Sequence, residues 1–595
     1  MTRIRQDGGQ TLSGDEHVTA PAWQKAWHGV GDRAPTTVAP VLVGLIALLA
    51  LAARIGAGPL TYEDAYITFR FARNIVHGQG FVYNPGDHVL GTTTPLFTLL
   101  LALLAWLTRE PYPWIALIVA AIADGVTTIV LAALAYRAGA GRTGAVCISA
   151  LFAVAAPSIQ YAQSVLETSL FSCLLILCCW WYVNQRDILW GVAGGLAVLT
   201  RPEAVLLLLI LGVDAACRQV AMPLAHPGGR YRRILPWKAI AAVAVVDVPW
   251  AVWATWYFGQ PISQSVIAKS GAVYHLTPVS NVAGVLRFLG GLPFGGLWPT
   301  MGLLVMVQAI GLSWIAFGST IPRLRTAILF VVLLYLAYMV VGLRHVMLFD
   351  WYPAAATPVL CLFIVTAAAA LLAPLGQPGR AFSLMLLSGV LVAMQLNALS
   401  LGRLPGLTFW SIKAPLPRRE TTYQDICRHL APAVQPGTVI AAPEVGTIGF
   451  YCPGVILDTI GLVTHGVGAY YPVPASQLVV NNAIPSNLIA DLRPDYVISY
   501  EVYVRLTLLR DPRFLSSYHE VYRLYNPNFG DFLVFERAVP GLDMPVPVTR
   551  LACRSPGDGS RSEAAPAPAH QPAVDVATAP DYHPPYPANS SERSG

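Results

Sequence analysis

The stretch that decides the fold reads TYEDAYITFRFARNIVHGQGFVYNPGDHVLGTTTPLFTLLLALL, residues 61–104. It opens with two adjacent carboxylates, Glu63 and Asp64, directly after a long apolar segment. Arg70 and Arg73 follow three residues apart, so they share one face if the stretch is helical. A Gly-rich loop then leads into a second apolar run. The pattern predicts an amphipathic helix and a polar loop held between two hydrophobic segments.

Apolar runs dominate the rest of the chain. Of its 595 residues, 55% are hydrophobic and only 12% are charged, about half the charged fraction of an average soluble domain. This composition excludes a soluble globular enzyme, a disordered chain and a nucleic-acid binder with a basic face, and it predicts a polytopic membrane protein. Twelve candidate segments can be read from the sequence: 38–55, 95–107, 114–136, 145–157, 166–183, 188–200, 204–217, 239–258, 297–317, 327–343, 352–372 and 382–401.

Arginines in the intervening loops predict the orientation of these segments, because positive charge favours the cytoplasmic side. The net charge is +6, and all but four of the 38 basic residues are arginine. With these assignments, successive loops lie alternately in the cytoplasm and outside, as membrane-spanning segments require, for every segment except 95–107. As a helix that segment spans about 20 Å, less than a hydrocarbon core of about 30 Å. We expect it to be a half-inserted or interfacial helix at the periplasmic face, which leaves eleven spans with the N-terminus inside and the C-terminus outside.

Composition divides the chain into four regions, and the expected fold is an all-α polytopic membrane bundle with a small C-terminal periplasmic α/β domain. Short β-branched runs at 437–446, 454–463, 494–500 and 531–539 and a helical pattern at 421–434 indicate the α/β domain. The predicted regions are a polar cytoplasmic N-terminus at 1–37, the bundle at 38–401 with its first outer loop at 56–94, the periplasmic domain at 402–553 and a disordered tail at 554–595.

Two cysteines of the predicted periplasmic domain, Cys427 and Cys452, are candidates for a disulfide if this domain is exported. Their spacing alone leaves the pairing open. The other cysteines of the bundle lie inside apolar runs, where a thiol packs as a small hydrophobe, and no zinc-binding spacing is present.

The adjacent carboxylates of the first loop are the leading catalytic candidates. A carboxylate at an apolar boundary and near arginines can act as a base toward a sugar hydroxyl, because partial desolvation raises its pKa while a nearby cation keeps it ionised. The alternative is a helix N-cap, since Thr61 and Asp64 both suit such a position. The residues alone leave both interpretations open.

Further ionisable residues interrupt the apolar runs. Arg201 and Glu203 lie in a turn between two short runs, where a salt bridge that closes the helix hairpin is favoured over substrate contact. Glu167 is expected on the same side of the membrane as Asp64, and it too could form a structural salt bridge or contact the substrate. Asp124 and two other aspartates lie deeper, and we expect them to make helix-packing hydrogen bonds.

Cations that could bind a phosphate lie on the predicted outer loops. Lys269 is a compact point donor, whereas Arg344, with its neighbour His345, offers bidentate geometry. The alternative for each is an interfacial charge that marks the end of a helix.

The first loop resembles the corresponding loop of the GT-C glycosyltransferases, with an acidic pair, an aromatic helix, a Gly-rich turn and a proline entry to the next helix. It is most similar to the branch that contains the terminal arabinofuranosyltransferases of mycobacterial cell walls. Two departures are the pair Glu63 and Asp64, where two aspartates are commoner, and TTTP at 92–95. The resemblance covers roughly 38–500 and extends to LETSLFSCLL (166–175), LTRPEAVLLL (199–208), FGQPISQSVIAKSG (258–271), RHVMLFDWYPAAATP (344–358) and APEVGTIGFYCPGVILDTIGLV (442–463).

This resemblance implies a glycosyltransferase of the bacterial inner membrane with its active site on the outer side. It would transfer a sugar such as arabinofuranose, with inversion, from a polyprenyl-phosphate donor to a cell-envelope glycan or glycolipid. Asp64 would be the general base and Glu63 its neighbour. No cofactor and no nucleic-acid partner are expected, and a divalent metal stays an open question. The candidate substrate-binding residues are Arg70, Arg73, Glu167, Arg201, Glu203, Lys269, Arg344 and His345.

Two other functions fit some features of the sequence. A transporter or lipid flippase for envelope precursors would also explain intramembrane charges, but it should place them around a cavity open to both sides. Here the predicted charges gather at one face, which favours the enzyme. A non-enzymatic assembly or sensor protein is the third possibility, but that function would not explain the acidic residues of the first loop.

Overall fold

The computed structural model describes residues 38–225, 235–270, 273–274, 324, 326, 334, 351–400, 419–525, 530–538 and 549–551. The predicted cytoplasmic N-terminus, residues 1–37, and the predicted tail, residues 554–595, lie outside these described residues. So do the predicted segment 297–317, nearly all of 327–343, and the candidates Arg344 and His345.

Apolar helices make up the first and larger portion of the described chain. Four stretches are long and apolar enough to cross a membrane: Val38–Gly56, Tyr112–Ala153, Trp237–Phe258 and Ala373–Leu396. The helical, membrane character is therefore confirmed, while the count of eleven spans stays a prediction. The helices of this portion are Val38–Ala57, Glu63–Val76, Pro95–Thr108, Tyr112–Ala135, Gly141–Ala153, Ala156–Gln163, Thr168–Val183, Asp187–Thr200, Ala204–Ala225, Trp237–Phe258, Gln264–Ser270, Trp351–Ala354, Thr357–Leu371 and Gly376–Ser400. Among them, Pro95–Thr108 has 14 residues and is as short as its sequence predicts.

Small residues let neighbouring helices approach closely, as is common in membrane bundles. In Asp187–Thr200, a Cβ added at Gly191 would lie 2.5 Å from the carbonyl oxygen of Ala239, and one at Gly195 would lie 3.0 Å from Val246. Only glycine fits at Gly191 without moving the backbone of the neighbouring helix.

A buried ion pair joins two helices in the interior of the bundle. Arg54 Nε lies 2.5 Å from Asp124 Oδ2, and the same carboxylate oxygen accepts a hydrogen bond from Ser158 at 2.9 Å. Arg54 also donates to the carbonyl oxygen of Ala50. The predicted packing role of Asp124 is confirmed, and because both charges are paired, their burial costs far less than that of a lone ion.

The C-terminal portion is a six-stranded sheet with short helices. Its strands are β1 (Val439–Ala442), β2 (Val455–Asp458), β3 (Tyr496–Tyr500), β4 (Tyr518–Leu524), β5 (Phe532–Arg537) and β6 (Thr549–Leu551). They lie in the order β2-β1-β3-β5-β4-β6, with parallel pairs β1/β2, β1/β3 and β4/β6 and antiparallel pairs β3/β5 and β4/β5. Four predicted runs contain β1, β2, β3 and β5, whereas β4 and β6 were not predicted. The α-helices of this portion are Arg419–Leu430, Gly446–Tyr451, Ser486–Leu492 and Pro512–Ser517. Cys427 and Cys452 form a disulfide.

Candidate active site

The helix of the first loop, Glu63–Val76, places its two leading carboxylates on different sides. The helix begins after Tyr62, which makes no side-chain capping hydrogen bond, so Asp64 is the second helical residue rather than the N-cap. Consecutive helical residues are about 100° apart around the axis. Glu63 and Asp64 therefore face different surroundings, although they are neighbours in sequence.

Asp64 faces a cavity of about 120 Å³, which is partly open to solvent. Its walls come from the start of the first-loop helix, the threonine segment that follows, two turns and two short helices of the bundle, and one residue of the C-terminal portion. The lining residues are Asp64, Ile67, Thr68, Gly91, Thr92, Thr93, Thr94, Leu166, Glu167, Arg201, Pro202, Glu203, Ser265, Val266, Lys269, Trp351, Tyr352 and Leu462. Five of the ten predicted site residues thus meet in one place: Asp64, Glu167, Arg201, Glu203 and Lys269.

Arg201 is the most buried charge of the cavity, with 3% of its surface exposed. Its Nη2 lies 2.9 Å from Glu203 Oε1 and its Nη1 lies 3.5 Å from Glu167 Oε1. The predicted salt bridge of the helix turn is therefore present, with Glu167 as a second partner. Two carboxylates thus hold one buried guanidinium at the cavity wall, where a lone charge would be costly.

Lys269 lies near the end of a short helix that is fixed to the first outer loop. The backbone N–H of Gln264 donates to the carbonyl oxygen of Leu90 at 2.7 Å, and the Ser265 hydroxyl donates to that of Gly91. Burial alone would lower the pKa of Lys269, but the electrostatic attraction of Tyr352, the charge of Asp64 and a hydrogen bond to Tyr352 outweigh it, and the net pKa is raised. Lys269 therefore stays a cation in a cavity that also holds Asp64.

Hydroxyl groups line the side of the cavity near the first outer loop. The Thr94 backbone N–H donates to Thr92 Oγ1 at 3.1 Å, and the Thr98 hydroxyl donates to the Thr94 carbonyl oxygen at 3.0 Å. The TTTP segment thus folds into a polar turn before its proline starts the next helix. The cavity also holds the Asp64 carboxylate, the Lys269 ammonium and Arg201, which is paired with Glu167 and Glu203. Neutral hydroxyls beside these charges suit a polyhydroxylated substrate that carries an anionic group.

The C-terminal sheet reaches this cavity through the turn after β2. Asp458 accepts hydrogen bonds from the backbone N–H groups of Ile460 at 2.8 Å, Val463 at 2.9 Å and Leu462. Burial raises the pKa of Asp458 to about 6, even though these hydrogen bonds favour its ionised form. These hydrogen bonds fix the turn and place Leu462 in the cavity wall. Sequence reasoning missed Leu462, because hydrophobic residues in a turn carry no chemical signal.

Glu63 does not line the cavity. Its carboxylate accepts hydrogen bonds from the backbone N–H groups of Gly446 at 2.6 Å and Thr447 at 3.2 Å, where the helix Gly446–Tyr451 begins. Only 4% of its surface is exposed. Burial raises its pKa well above the ordinary value, and the negative charge of Glu444 adds to this rise. Glu63 thus attaches the first-loop helix to the C-terminal sheet, in contrast to the catalytic role that its position in sequence suggests.

Arg70 and Arg73 also contact the C-terminal sheet instead of the cavity. Arg70 donates to the carbonyl oxygens of Tyr83 at 2.7 Å, Gly454 at 3.1 Å and Gly449. Arg73 donates to the carbonyl oxygen of Phe450 at 2.6 Å, and its guanidinium lies 4.7 Å from the centre of the same ring. The two arginines share one helix face, as predicted, but that face binds backbone carbonyls of this chain.

Among the described residues, no group of three or more His, Cys, Asp or Glu side chains is arranged to hold a metal ion. The cofactor expectation remains untested by this observation. Arg344 and His345 lie outside the described residues, so their predicted contact with phosphate stays a prediction.

Comparison with known proteins identifies the fold. The structure of ArnT from Cupriavidus metallidurans bound to undecaprenyl phosphate matches with a TM-score of 0.51 at 15% identity, over 84% of this chain and 98% of that chain. The same protein in the apo state matches with a TM-score of 0.51 and 14% identity, over 83% and 97% of the two chains. The chain thus has the GT-C fold that its first loop resembles, with low sequence identity.

Other comparisons are weaker. AftD from mycobacteria gives a TM-score of 0.45 at 14% identity, over 83% of this chain and 41% of that chain. A family described as a domain of unknown function, DUF8728, matches residues 411–540. No curated protein sequence matches the chain.

Proposed function

We propose that this protein is a membrane glycosyltransferase that transfers a sugar from a polyprenyl-phosphate donor to a cell-envelope glycan or glycolipid, with Asp64 as general base. The observation that carries the proposal is the cavity in which Asp64 meets Lys269 and Arg201. Two findings support it: the GT-C fold, and the undecaprenyl phosphate bound to the ArnT structure of the same fold.

The proposed reaction is a single displacement with inversion. Asp64 takes the proton of an acceptor hydroxyl, and that oxygen attacks the anomeric carbon of the donor sugar. The bond from this carbon to the phosphate oxygen breaks, and the polyprenyl phosphate leaves with the electron pair. Lys269 stabilises the negative charge that grows on the phosphate, since a cation fixed at the site of charge development lowers the barrier. Arg201 is held at the same cavity by Glu203 and Glu167.

We place the cavity on the outer side of the inner membrane. The disulfide between Cys427 and Cys452 supports this side, because disulfides persist in oxidising compartments. A lipid-linked donor is also consistent with an outer site, where nucleotide sugars are not available. In the eleven-span topology, positions 270 and 476 are outside and position 229 is in the cytoplasm.

Cysteine substitution at Ser270, Ser476 and Gly229, with a membrane-impermeant thiol reagent on intact cells, tests this topology. Among the described residues, five of the six free cysteines are buried and Cys217 is exposed. Cys553 lies outside the described residues, so the parent variant carries both Cys217→Ser and Cys553→Ser. Labelling at 270 and 476 but not at 229 is the expected result. Labelling at 229 from outside would overturn the eleven-span topology and the assignment of the active site to the outer face.

The activity itself is tested by offering purified protein a panel of polyprenyl-phosphate sugars, with arabinofuranose among them, together with cell-envelope acceptors. We expect one donor to be consumed with release of polyprenyl phosphate and formation of a glycosylated acceptor. Movement of the intact donor across a vesicle membrane without hydrolysis or transfer would instead support the flippase alternative.

A further inference from the structure

Two aromatic residues that the proposed mechanism does not use form one wall of the cavity. The short helix Trp351–Ala354 presents Trp351 and Tyr352 to the space that holds Asp64 and Lys269. Trp351 also packs edge-on against Tyr62, which directly precedes the acidic pair, with 6.4 Å between the ring centres.

Tyr352 contacts both cations of the cavity. The guanidinium carbon of Arg201 lies 4.7 Å from the centre of the Tyr352 ring, within the range of a cation–π interaction. The same tyrosine is hydrogen-bonded to Lys269. Nη1 of Arg201 lies 3.5 Å from the backbone carbonyl oxygen of Trp351. One aromatic pair therefore fixes two cations that come from separate regions of the chain.

The chemistry of the donor explains why two fixed cations are useful. A polyprenyl-phosphate sugar is a phosphodiester with one negative charge, whereas the departing polyprenyl phosphate is a monoester whose charge approaches about two at neutral pH. Two cations repel one another, and Arg201 lowers the pKa of Lys269 in this way. A side chain that contacts both can hold them side by side before the second charge has formed.

We propose that Tyr352 is a positioning residue that holds Lys269 and Arg201 together as a two-cation site for the lipid phosphate as its charge increases. This inference rests on the proposed function. It predicts that the Tyr352 hydroxyl matters for turnover more than for binding of the donor, because the second charge develops only as the sugar leaves.

The contact between Tyr352 and Lys269 can be measured without any assay of transfer. The sequence holds only four lysines, Lys25, Lys238, Lys269 and Lys413, so acetylation by a trace of acetic anhydride can be followed at each by mass spectrometry. The groups that act on Lys269 are Tyr352, Asp64 and Arg201. Removing the hydroxyl in Tyr352→Phe should lower the pKa of Lys269 and increase its acetylation about fivefold at constant pH, the value of one hydrogen bond. Lys238 serves as the internal reference.

Tyr182→Phe is the matched control, because the Tyr182 hydroxyl donates to Asp214, which lies elsewhere in the bundle. We expect unchanged acetylation of Lys269 in this variant. Unchanged acetylation in Tyr352→Phe, or an equal increase in both variants, would overturn the proposal. This readout stands even if wild-type protein transfers no sugar, so failure of the proposed function is distinguishable from failure of the positioning role.

Once a donor is known, steady-state kinetics give the second test. Tyr352→Phe should lower kcat about tenfold with little change in KM, while Tyr182→Phe should leave both constants unchanged. In Lys269→Ala, adding Tyr352→Phe should cost nothing further, because the hydroxyl then has no cation to hold. Additive losses, or a change in KM alone, would contradict the positioning role.

Discussion

The two faces of the first-loop helix, Glu63–Val76, use the same residue types for opposite purposes. On the cavity face, Asp64 lies near Lys269 and beside open space. The other face, here called the docking face, carries Glu63, Arg70 and Arg73 and contacts the C-terminal portion. There Glu63 accepts a hydrogen bond from the backbone N–H of Gly446, and Arg70 donates to the backbone carbonyl oxygen of Gly454. Charged groups on the cavity face stay accessible to a substrate, whereas those on the docking face are hydrogen-bonded to other groups of the same chain. A charged residue next to a catalytic one is therefore not itself a catalytic candidate until its partners are known.

The docking face also explains two glycines of the short helix that follows β1. In the helix Gly446–Tyr451, a Cβ at Gly446 would lie 1.8 Å from the Glu63 carbonyl oxygen, and one at Gly449 would lie 1.7 Å from the Tyr83 hydroxyl oxygen. The sheet can approach the first-loop helix only because these positions carry no side chain. A shared helix thus links the docking of the C-terminal sheet to the placement of Asp64.

The largest effect on stability is expected from Gly446→Ala. The added methyl group must displace the backbone of Glu63, and overpacking of this kind costs about 1–3 kcal/mol. Thermal unfolding in detergent should show a lower midpoint. Gly468→Ala is the control, since a Cβ there meets nothing within 4 Å. Equal midpoints for the two variants would show that the docking face is not tightly packed.

Lys269→Ala tests the cavity face and should leave stability nearly unchanged. A phosphate contact that strengthens as the sugar leaves predicts a loss of about 2 kcal/mol of transition-state stabilisation, seen as roughly a 30-fold lower turnover. Lys269→Arg should recover some of the rate, because its fork places the charge differently. Lys238→Ala, at an exposed lysine, is the control. Full activity in both Lys269 variants together with failure of an Arg344 variant would move the phosphate site to Arg344 and His345.

The smallest effect is expected from Glu63→Gln and depends on pH. The folded-state pKa of Glu63 is raised by burial, so the folded chain holds its proton more tightly than the unfolded chain, whose pKa is about 4.3. Its contribution to stability is complete below that value and is lost as the pH rises through the raised pKa. Glutamine does not titrate and can still accept a backbone N–H. The unfolding midpoint of Glu63→Gln should therefore match wild type at low pH and exceed it at neutral pH.

Unfolding midpoints of both proteins across this pH range check the expectation. Asp458 also has a raised pKa, of about 6, but it titrates in both proteins and cancels in the difference. A difference that is constant with pH would mean that Glu63 remains ionised on the docking face.

The sequence predicted the apolar helices, four of the six strands and five of the residues that meet in the cavity. These features could be anticipated because helix periodicity, β-branched runs and buried charges leave local signals in the sequence. That the five residues act on a substrate stays a prediction. The division between Glu63 and Asp64 could not be predicted, since it depends on backbone groups of Gly446 and Thr447 more than 380 positions away. Tyr352 was missed for a related reason: its role comes from contacts with two residues that are distant in sequence.

The central claim is that catalysis belongs to the cavity face and docking to the other face. It is tested most directly by the turnover of Asp64→Asn and Glu63→Gln, measured side by side at saturating donor after binding of undecaprenyl phosphate has been shown to be intact. Loss of a positioned base should lower the turnover of Asp64→Asn by about two to four decades, while Glu63→Gln should keep most of its activity. If Asp64→Asn retains more than about a tenth of wild-type turnover, far above the residual rate of an enzyme without its base, and Glu63→Gln is inactive, the two faces have been assigned the wrong way round.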